Sequence, residues 1–461
     1  MRKFNFVIAV LIIGSWKTGW TQDATAPAIE RGQRELRYLG TKTPYHTPAG
    51  SYTPPPAGYS PVFINYVGRH GARFLTKAGA DLRVWEVLQA AEKSHSLTPL
   101  GKQVKAMTEK LLAIEKGKYE QITILGAEEQ AAIGERMLYN YGEVFKGKGL
   151  TIVTTYKLRT QQSAEAFLRS FAKTSGPRQY EKAADSLDAI LRFYDLSPAY
   201  QRFKKSDGLR QSLDSLDRDP RTEQGAAHIW KKLFTGLLPQ TAASSGGKKD
   251  HGEMDPVAFA DNLYDLYSVQ FSLPGEMQEK GYTKDSIDLG IAFGRNDLEW
   301  LDYRSGAQDF LEKGAGFDAL GIQVRVAGPL LADFINSMDK AVHRLGPDAI
   351  LRFTHAEAIS PFAALLGIPT ASRPSTSIFR YRAHWQAESI IPLSANIQWI
   401  LYSNGRDYLV KVLLNEKESA LPVSTSSYPY YRWEDLKAYY ENRLNAIHMG
   451  QDMLDYLKKL N

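Results

Sequence analysis

The sequence contains no cysteine among its 461 residues. This absence excludes disulfide bonds, thiolate metal sites and a lipid-carrying N-terminal cysteine, so the fold is held by its core alone. Long apolar runs are also missing, and we expect no stable membrane insertion. With 43% hydrophobic and 23% charged residues, the composition is that of a globular protein with two or three units of ordinary domain size.

The sequence also has little excess charge of either sign. The formal net charge is +6, and removal of residues 1–21 would take away three positive charges and leave about +3. This excess is too small to indicate nucleic-acid binding, and we expect no nucleic-acid partner. It is compatible with an anionic small-molecule substrate if the positive charge is concentrated in one cleft. The sequence indicates no oligomeric state.

The N-terminal segment has the pattern of a secretory signal peptide. A short positive start, Met1-Arg2-Lys3, precedes an apolar run from Phe4 to Ile13, which is too short to span a bilayer. Small and polar residues follow. We therefore expect residues 1–21 to be a signal peptide, cleaved near Thr21-Gln22, and the protein to be exported. An exported protein without cysteine fits a bacterial periplasm or the cell exterior.

The strongest chemical signal is the stretch Arg69-His70-Gly71-Ala72-Arg73. The apolar run 62–67 before it predicts a buried strand, and glycines then let the backbone approach a ligand closely. Arginine forks match tetrahedral oxyanions, and histidine is a competent nucleophile near neutral pH. The stretch predicts a phosphoryl site with His70 aimed at phosphorus; the alternative is a surface loop with scattered charges.

Two further predicted strands end in ionic residues. The strand at 150–156 leads to Arg159, and the strand at 349–354 leads to His355-Ala356-Glu357. In open α/β sheets, ligands bind beyond the carboxyl ends of the strands, so we expect the three ends to converge. The alternatives are a surface ion pair between Arg159 and Glu165, a buried packing histidine at His355 and an ordinary first-turn acid at Glu357.

The expected chemistry is covalent catalysis by His70. In its neutral form it attacks phosphorus, with its other ring nitrogen held by a backbone carbonyl such as that of Gly71. Arg69, Arg73 and Arg159 clamp the non-bridging oxygens, and His355 adds a further donor. With this many fixed positive groups, we expect no metal ion and no other cofactor.

Glu357 is the candidate to protonate the leaving alkoxide and later to activate water. A carboxylate beside phosphate should have a raised pKa because like charges disfavour ionisation. We therefore expect activity to be best under acidic to neutral conditions.

About 190 residues separate Arg159 from the next strand-like run, far more than a crossover helix needs. Their helical spacing predicts an inserted helical cap domain at 165–330, between the two parts of an α/β phosphatase domain at 22–164 and 331–461. Asn404-Gly405 between two apolar runs predicts a hairpin. The tail from Trp433 to Leu460 has the pattern of one amphipathic helix.

The three motifs resemble the histidine acid phosphatase family, branch 2 of the histidine phosphatase superfamily. Most of that family ends the third motif with His-Asp, whereas His355-Ala356-Glu357 resembles the multiple inositol polyphosphate phosphatases, a phytase class. Leu39-Gly40-Thr41-Lys42-Thr43 is similar to the same subgroup. Phe74 departs from the proline that many phytases have there.

The resemblance implies a phosphoglycerate-mutase-like α/β domain with a helical cap. It implies inositol polyphosphates, and in particular myo-inositol hexakisphosphate (phytate), as the substrate. It also carries over the roles of the site residues: phosphate binding by the three arginines and His355, and proton donation by Glu357. A broad-specificity acid phosphatase or phosphotransferase is one alternative. An exported phosphate-ester binding protein without turnover is another.

Overall fold

The computed structural model describes residues 38–173, 176–182, 187–236 and 255–461. The predicted signal peptide at 1–21 lies outside these residues. The part of the chain that the structure describes contains no helix long and apolar enough to cross a membrane. Residues 38–59 form an N-terminal arm. It has little regular structure beyond the 3₁₀ helix Gly40–Lys42, as its five prolines between positions 44 and 56 predict.

Eight strands of the described residues form one mixed sheet. They are β1 (Ser60–Arg69), β2 (Leu150–Thr154), β3 (Arg178–Lys182), β4 (Ala349–Thr354), β5 (Asn396–Ser403), β6 (Tyr408–Leu414), β7 (Lys417–Glu418) and β8 (Tyr430–Arg432). Their order is β3-β2-β4-β1-β5-β6-β7, and β8 also pairs with β6. The β3-β2-β4-β1 half is parallel, and the remaining pairs are antiparallel.

Helices occupy most of the remaining described residues. The α-helices are α1 (Ala80–Lys93), α2 (Pro99–Glu115), α3 (Ile124–Tyr141), α4 (Leu158–Phe167), α5 (Phe193–Leu196), α6 (Pro198–Phe203), α7 (Asp207–Asp217), α8 (Pro220–Leu233), α9 (Pro256–Gln270), α10 (Pro274–Glu279), α11 (Arg295–Lys313), α12 (Ile322–Arg325), α13 (Gly328–Val342), α14 (Ala356–Leu365), α15 (Pro369–Ser372), α16 (Ala387–Ile390), α17 (Trp433–Ala446) and α18 (Met453–Lys459). Short 3₁₀ helices span Gly40–Lys42, Gly142–Val144, Ser170–Lys173, Lys284–Ser286, Leu289–Ala292 and Ile378–Ala383.

The sheet is buried on both faces. Along β1, Phe63 and Val67 join one apolar cluster with residues of α13 and α14, whereas Ile64 and Tyr66 join a second cluster with residues of α3 and α4. Strands covered on both faces need apolar side chains at successive positions, which is why β1 reads as a continuous hydrophobic run. The predicted α/β fold is confirmed.

Several local predictions are confirmed. Helix α2 begins at Pro99, and the hydroxyl of Thr98 accepts a hydrogen bond from the Gly101 amide at 3.0 Å. The predicted hairpin forms between β5 and β6. The prediction of a single C-terminal helix was wrong. Helices α17 and α18 are separate, and His448 between them has a left-handed φ of 59°.

The described residues between β3 and β4 are helical, from α5 to α13. However, β3 lies within the range predicted for the inserted cap and pairs with β2 at the edge of the sheet. The domain boundaries at 165 and 330 stay a prediction.

Candidate active site

Three neighbouring strands bring the predicted site residues together at their carboxyl ends. In the parallel register, Arg69 at the end of β1 lies beside Thr354 at the end of β4, and Thr154 at the end of β2 lies beside Phe353. The backbone amide of His70 donates to the Thr354 carbonyl at 3.0 Å. The three motifs, far apart in the sequence, therefore meet in space.

His70 is buried, and its Nδ1 lies 2.9 Å from the carbonyl oxygen of Gly71. Because a carbonyl oxygen only accepts, Nδ1 carries the proton and Nε2 carries the lone pair. The predicted hydrogen bond from His70 to the Gly71 carbonyl is thus present. Burial, together with Arg69 and Arg159, holds the pKa of His70 well below its ordinary value, so the imidazole is neutral.

The loop that carries His70 lies against the first turn of α3. A Cβ at Gly71 would lie 2.4 Å from the Gly126 carbonyl oxygen, and a Cβ at Gly126 would lie 2.1 Å from that of Ala72. Only glycine at both positions permits this approach of two backbones. The approach fixes the position of His70 relative to α3.

Glu129 on α3 accepts a hydrogen bond from the same loop. One carboxylate oxygen accepts from the Ala72 amide at 2.9 Å and from the Ser394 hydroxyl at 2.7 Å, and the other accepts from the Tyr45 amide at 2.8 Å. Burial raises the pKa of Glu129, while these three donors oppose that shift. The carboxylate ties the N-terminal arm and the loop to one helix.

Arg69 is held by the N-terminal arm. Its Nη1 donates to the carbonyl oxygens of Thr41 and Ile391, each at 2.6 Å. Thr41 belongs to the stretch that resembles the phosphatase subgroup, and the arm therefore orients a predicted clamp residue.

Arg73 and Arg159 complete the predicted clamp. Arg73 donates to the Phe74 carbonyl at 2.8 Å. Nε of Arg159 is buried without a hydrogen-bond partner in the described part of the chain, and its Nη1 lies 3.6 Å from Oε1 of Glu120. Burial and mutual repulsion lower the pKa of Arg73 to about 10, which leaves it charged at neutral pH. Clustered guanidinium groups of this kind favour a bound polyanion.

His355 immediately precedes the first residue of α14, and its ring centroid lies 5.5 Å from that of His70. Its Nε2 lies 3.3 Å from Nη1 of Arg192 and 3.2 Å from the Thr155 hydroxyl. Because arginine only donates, Nε2 is the acceptor and Nδ1 carries the proton. That Nδ1 is buried without a partner among the described residues, as befits a donor to a ligand.

Arg192 is a site residue that the sequence did not reveal. It is buried, forms an ion pair with Asp195 and lies 4.7 Å from the centre of the Tyr156 ring. The hydroxyl of Thr354 donates to the Leu191 carbonyl at 2.8 Å, which attaches this segment to the end of β4. Arg192 follows no strand and lies in no motif, so no local signal identified it.

Glu357 lies in the first turn of α14 with 38% of its side chain exposed, and its Oε1 is 3.4 Å from Nζ of Lys313. Burial alone would raise its pKa, but Lys313 and His355 outweigh burial and lower the pKa well below its ordinary value. The expectation of a raised pKa considered only the phosphate. It did not include Lys313, which lies in α11 outside every motif.

Lysines outside the three motifs were not assigned to the site, and two of them have partners of their own. Lys42 donates to Asp265 at 2.6 Å and to Ser268 at 3.0 Å, and Lys204 lies 5.1 Å from the centre of the Tyr200 ring. Lys248 and Lys249 lie outside the described residues. Within the described ranges, no group of three or more metal-ligating side chains is present.

The family model described as "Histidine phosphatase superfamily (branch 2)" matches residues 62–415. The chain belongs to this superfamily. Multiple inositol polyphosphate phosphatase 1 of Gallus gallus is 23% identical over 444 residues, covering 90% of this chain and 92% of that protein. The Homo sapiens protein of the same name is 27% identical over 366 residues, covering 74% and 67%.

Solved structures of phosphatases share the fold. Bifidobacterium longum multiple inositol polyphosphate phosphatase in complex with inositol hexasulfate has a TM-score of 0.75 at 22% identity, covering 90% of this chain and 99% of that one. The phytase from D. castellii has a TM-score of 0.64 at 16% identity, covering 98% and 93%. The predicted histidine phosphatase fold is confirmed.

Proposed function

We propose that this protein is a metal-independent phosphomonoesterase that hydrolyses inositol polyphosphates, including phytate, through a phosphohistidine at His70. The observation that carries the proposal is the neutral His70 imidazole, with the lone pair on Nε2, beside clustered arginines. The names of the relatives supply the substrate class. Clustered arginines favour a polyanionic ligand, and inositol polyphosphates are polyanions.

In the first step, Nε2 of His70 attacks phosphorus. The Nε2–P bond forms, the bond from phosphorus to the ester oxygen breaks, and the leaving oxygen takes a proton from Glu357. The guanidinium groups and the Nδ1–H of His355 hold the non-bridging oxygens through the transition state. Because the free Glu357 is ionised, its proton has to arrive with the substrate, whose phosphate carries a proton below a pKa of about 6.

In the second step, the Glu357 carboxylate accepts a proton from water. The water oxygen bonds to phosphorus, the Nε2–P bond breaks, and inorganic phosphate leaves with the neutral imidazole restored. Glu357 then passes the proton it took from water to the departing phosphate or to solvent, which returns it to the carboxylate form. No step draws on a metal ion, because the fixed cations neutralise the charge that a metal would otherwise hold.

We propose further that the protein is exported to a bacterial periplasm or to the cell exterior. The support is the signal-peptide pattern of residues 1–21. N-terminal sequencing of the protein from its native host, with a new N-terminus near Gln22, is the expected result; an intact Met1 in the cytoplasmic fraction would contradict export.

The test of function is phosphate release from phytate with and without a chelator, in wild type and His70→Ala. We expect chelator-resistant release by wild type and none by the variant. Wild type that binds phytate without releasing phosphate would be a binding protein instead. A strong preference for a small monoester such as a sugar phosphate would indicate a broad acid phosphatase.

A further inference from the structure

The proton donor of the proposed reaction shares a lysine with a second carboxylate. Lys313 is the last residue of α11, and its Nζ lies 2.7 Å from Oδ1 of Asp309, one turn earlier on the same helix. The same Nζ lies 3.4 Å from Oε1 of Glu357 on α14. The side chains of Lys313 and Asp309 are each 14% exposed, so solvent screens this contact only in part.

A largely buried cation beside a carboxylate stabilises the ionised form of that carboxylate, here Glu357. Burial alone would lower the pKa of Lys313, but Asp309 and Glu357 together raise it, so the lysine stays charged. Glu357 has to exist in both protonation states during each turnover. Its affinity for a proton therefore decides which half-reaction limits the rate at a given pH.

We propose that Lys313 is a positioning residue that acts on the reaction through Glu357, and that Asp309 determines how much of the lysine's charge Glu357 experiences. This inference rests on the proposed function, in which Glu357 gives and then takes a proton. Lys313 holds Glu357 as a carboxylate for the attack of water, and Asp309 prevents the lysine from holding it so strongly that the first step fails.

Other charged and titratable groups also act on Glu357. They come from β1 and the loop after it, from α4, from the segment before α14 and from α5 and α6: Arg69, Arg73, Arg159, His355, Tyr194, Asp195 and Tyr200. Neither the Lys313 nor the Asp309 substitution changes any of these residues. A change in the pH profile of such a variant therefore reports on the lysine and its partner.

The test compares the pH dependence of kcat for phytate among wild type, Lys313→Met and Asp309→Asn. Without the lysine, Glu357 binds its proton more tightly, so both limbs of the profile move to higher pH by about one unit or more. Without the Asp309 charge, Glu357 loses a repelling neighbour and the lysine acts on it alone, so both limbs move to lower pH. A merely structural role would not move the two profiles in opposite directions.

Two further variants complete the design. Lys313→Arg keeps the charge and should restore the wild-type position of the profile. Lys437→Met is the matched control, because Lys437 also forms a 2.7 Å ion pair, with Asp339, that joins α17 to α13. The profile of this control should coincide with that of wild type.

The second readout is the phosphoenzyme trapped by acid quench near the acidic limb. Lys313→Met should accumulate more of it than wild type, because a protonated Glu357 cannot activate water.

If Lys313→Met fails to fold, Asp309→Asn decides by itself, through its shift to lower pH. Unmoved profiles, or shifts of both variants in the same direction, would overturn the inference. Absence of phosphate release by wild type would instead overturn the proposed function.

Discussion

The imidazole of His355 stands edge-on to that of His70, with ring centroids 5.5 Å apart and planes inclined by 64°. Each ring is fixed in one neutral tautomer by a different partner, a carbonyl oxygen for His70 and an arginine for His355. One ring thereby presents a lone pair and the other an N–H group. This arrangement suits the proposed roles of His70 as nucleophile and His355 as donor to the same phosphoryl group.

Replacing His355 by alanine removes that donor. We expect kcat to fall by about 10²–10³-fold, because one donor to transition-state charge is lost. Steady-state kinetics on phytate measure the effect, and circular dichroism verifies the fold. A kcat within about twofold of wild type would show that His355 only packs.

Arg192→Met tests the residue that orients His355. We expect kcat/KM to fall by about 10–100-fold, because His355 loses the donor that selects its tautomer and the pocket loses a cation. Arg221→Met is the control, since Arg221 also pairs with an aspartate and lies over an aromatic ring, that of Trp300 at 3.6 Å. Equal losses in both variants would contradict a specific role for Arg192.

Glu129→Gln tests the support beneath the His70 loop. Whichever way the glutamine side chain turns, its NH₂ group faces a backbone amide that donates to a carboxylate oxygen in wild type, and two donors cannot bond to each other. We expect the free energy of unfolding to fall by about 1–3 kcal/mol and kcat to fall by about tenfold. Denaturant titration and kinetics measure both quantities. The exposed Glu135 on the same helix provides the control, and Glu135→Gln should leave both unchanged.

Glu115 makes stability depend on pH. Its side chain is fully buried, one carboxylate oxygen accepts from the Leu75 amide at 2.9 Å, and burial raises its pKa to about 8 from an ordinary 4.5. The unfolded chain ionises this group near pH 4.5, whereas the folded protein keeps it neutral up to about 8. Its contribution to stability is therefore complete below about pH 4.5 and declines by a few kcal/mol as the pH rises to about 8.

The corresponding variant is Glu115→Gln, which cannot ionise. Denaturant titrations at pH 5 and pH 8 should show a smaller loss of unfolding free energy for the variant than for wild type. An identical loss in both proteins would assign the decline to other groups.

The strand ends could be predicted because their signals are local. A short buried apolar run followed by glycine and charge marks β1, and a similar run before His355 marks β4. Strand β3 escaped prediction, since Arg178–Lys182 is polar, as suits an edge strand that has to avoid further pairing. Helical periodicity continues from α17 into α18, which concealed the break at 447–452.

Lys313 and Arg192 could not be predicted for a different reason. Both lie outside the three motifs. Only the packing of α11 brings Lys313 to Glu357, and only the packing of the segment before α5 brings Arg192 to His355. A pKa depends on every neighbour, and an argument from the phosphate alone left out Lys313 and His355, which lower the pKa of Glu357. The residues of the motifs define the candidate site, whereas Lys313 and Arg192 reach it from segments that no motif marks.

The most direct test of the account is to trap the intermediate. Wild type is mixed with excess phytate, quenched within milliseconds and examined by mass spectrometry under conditions that preserve phosphohistidine. The account predicts one added phosphoryl group, on Nε2 of His70, and none in His70→Ala. Rapid phosphate release by wild type without any phosphoryl group on His70, or turnover that survives in His70→Ala, would contradict it.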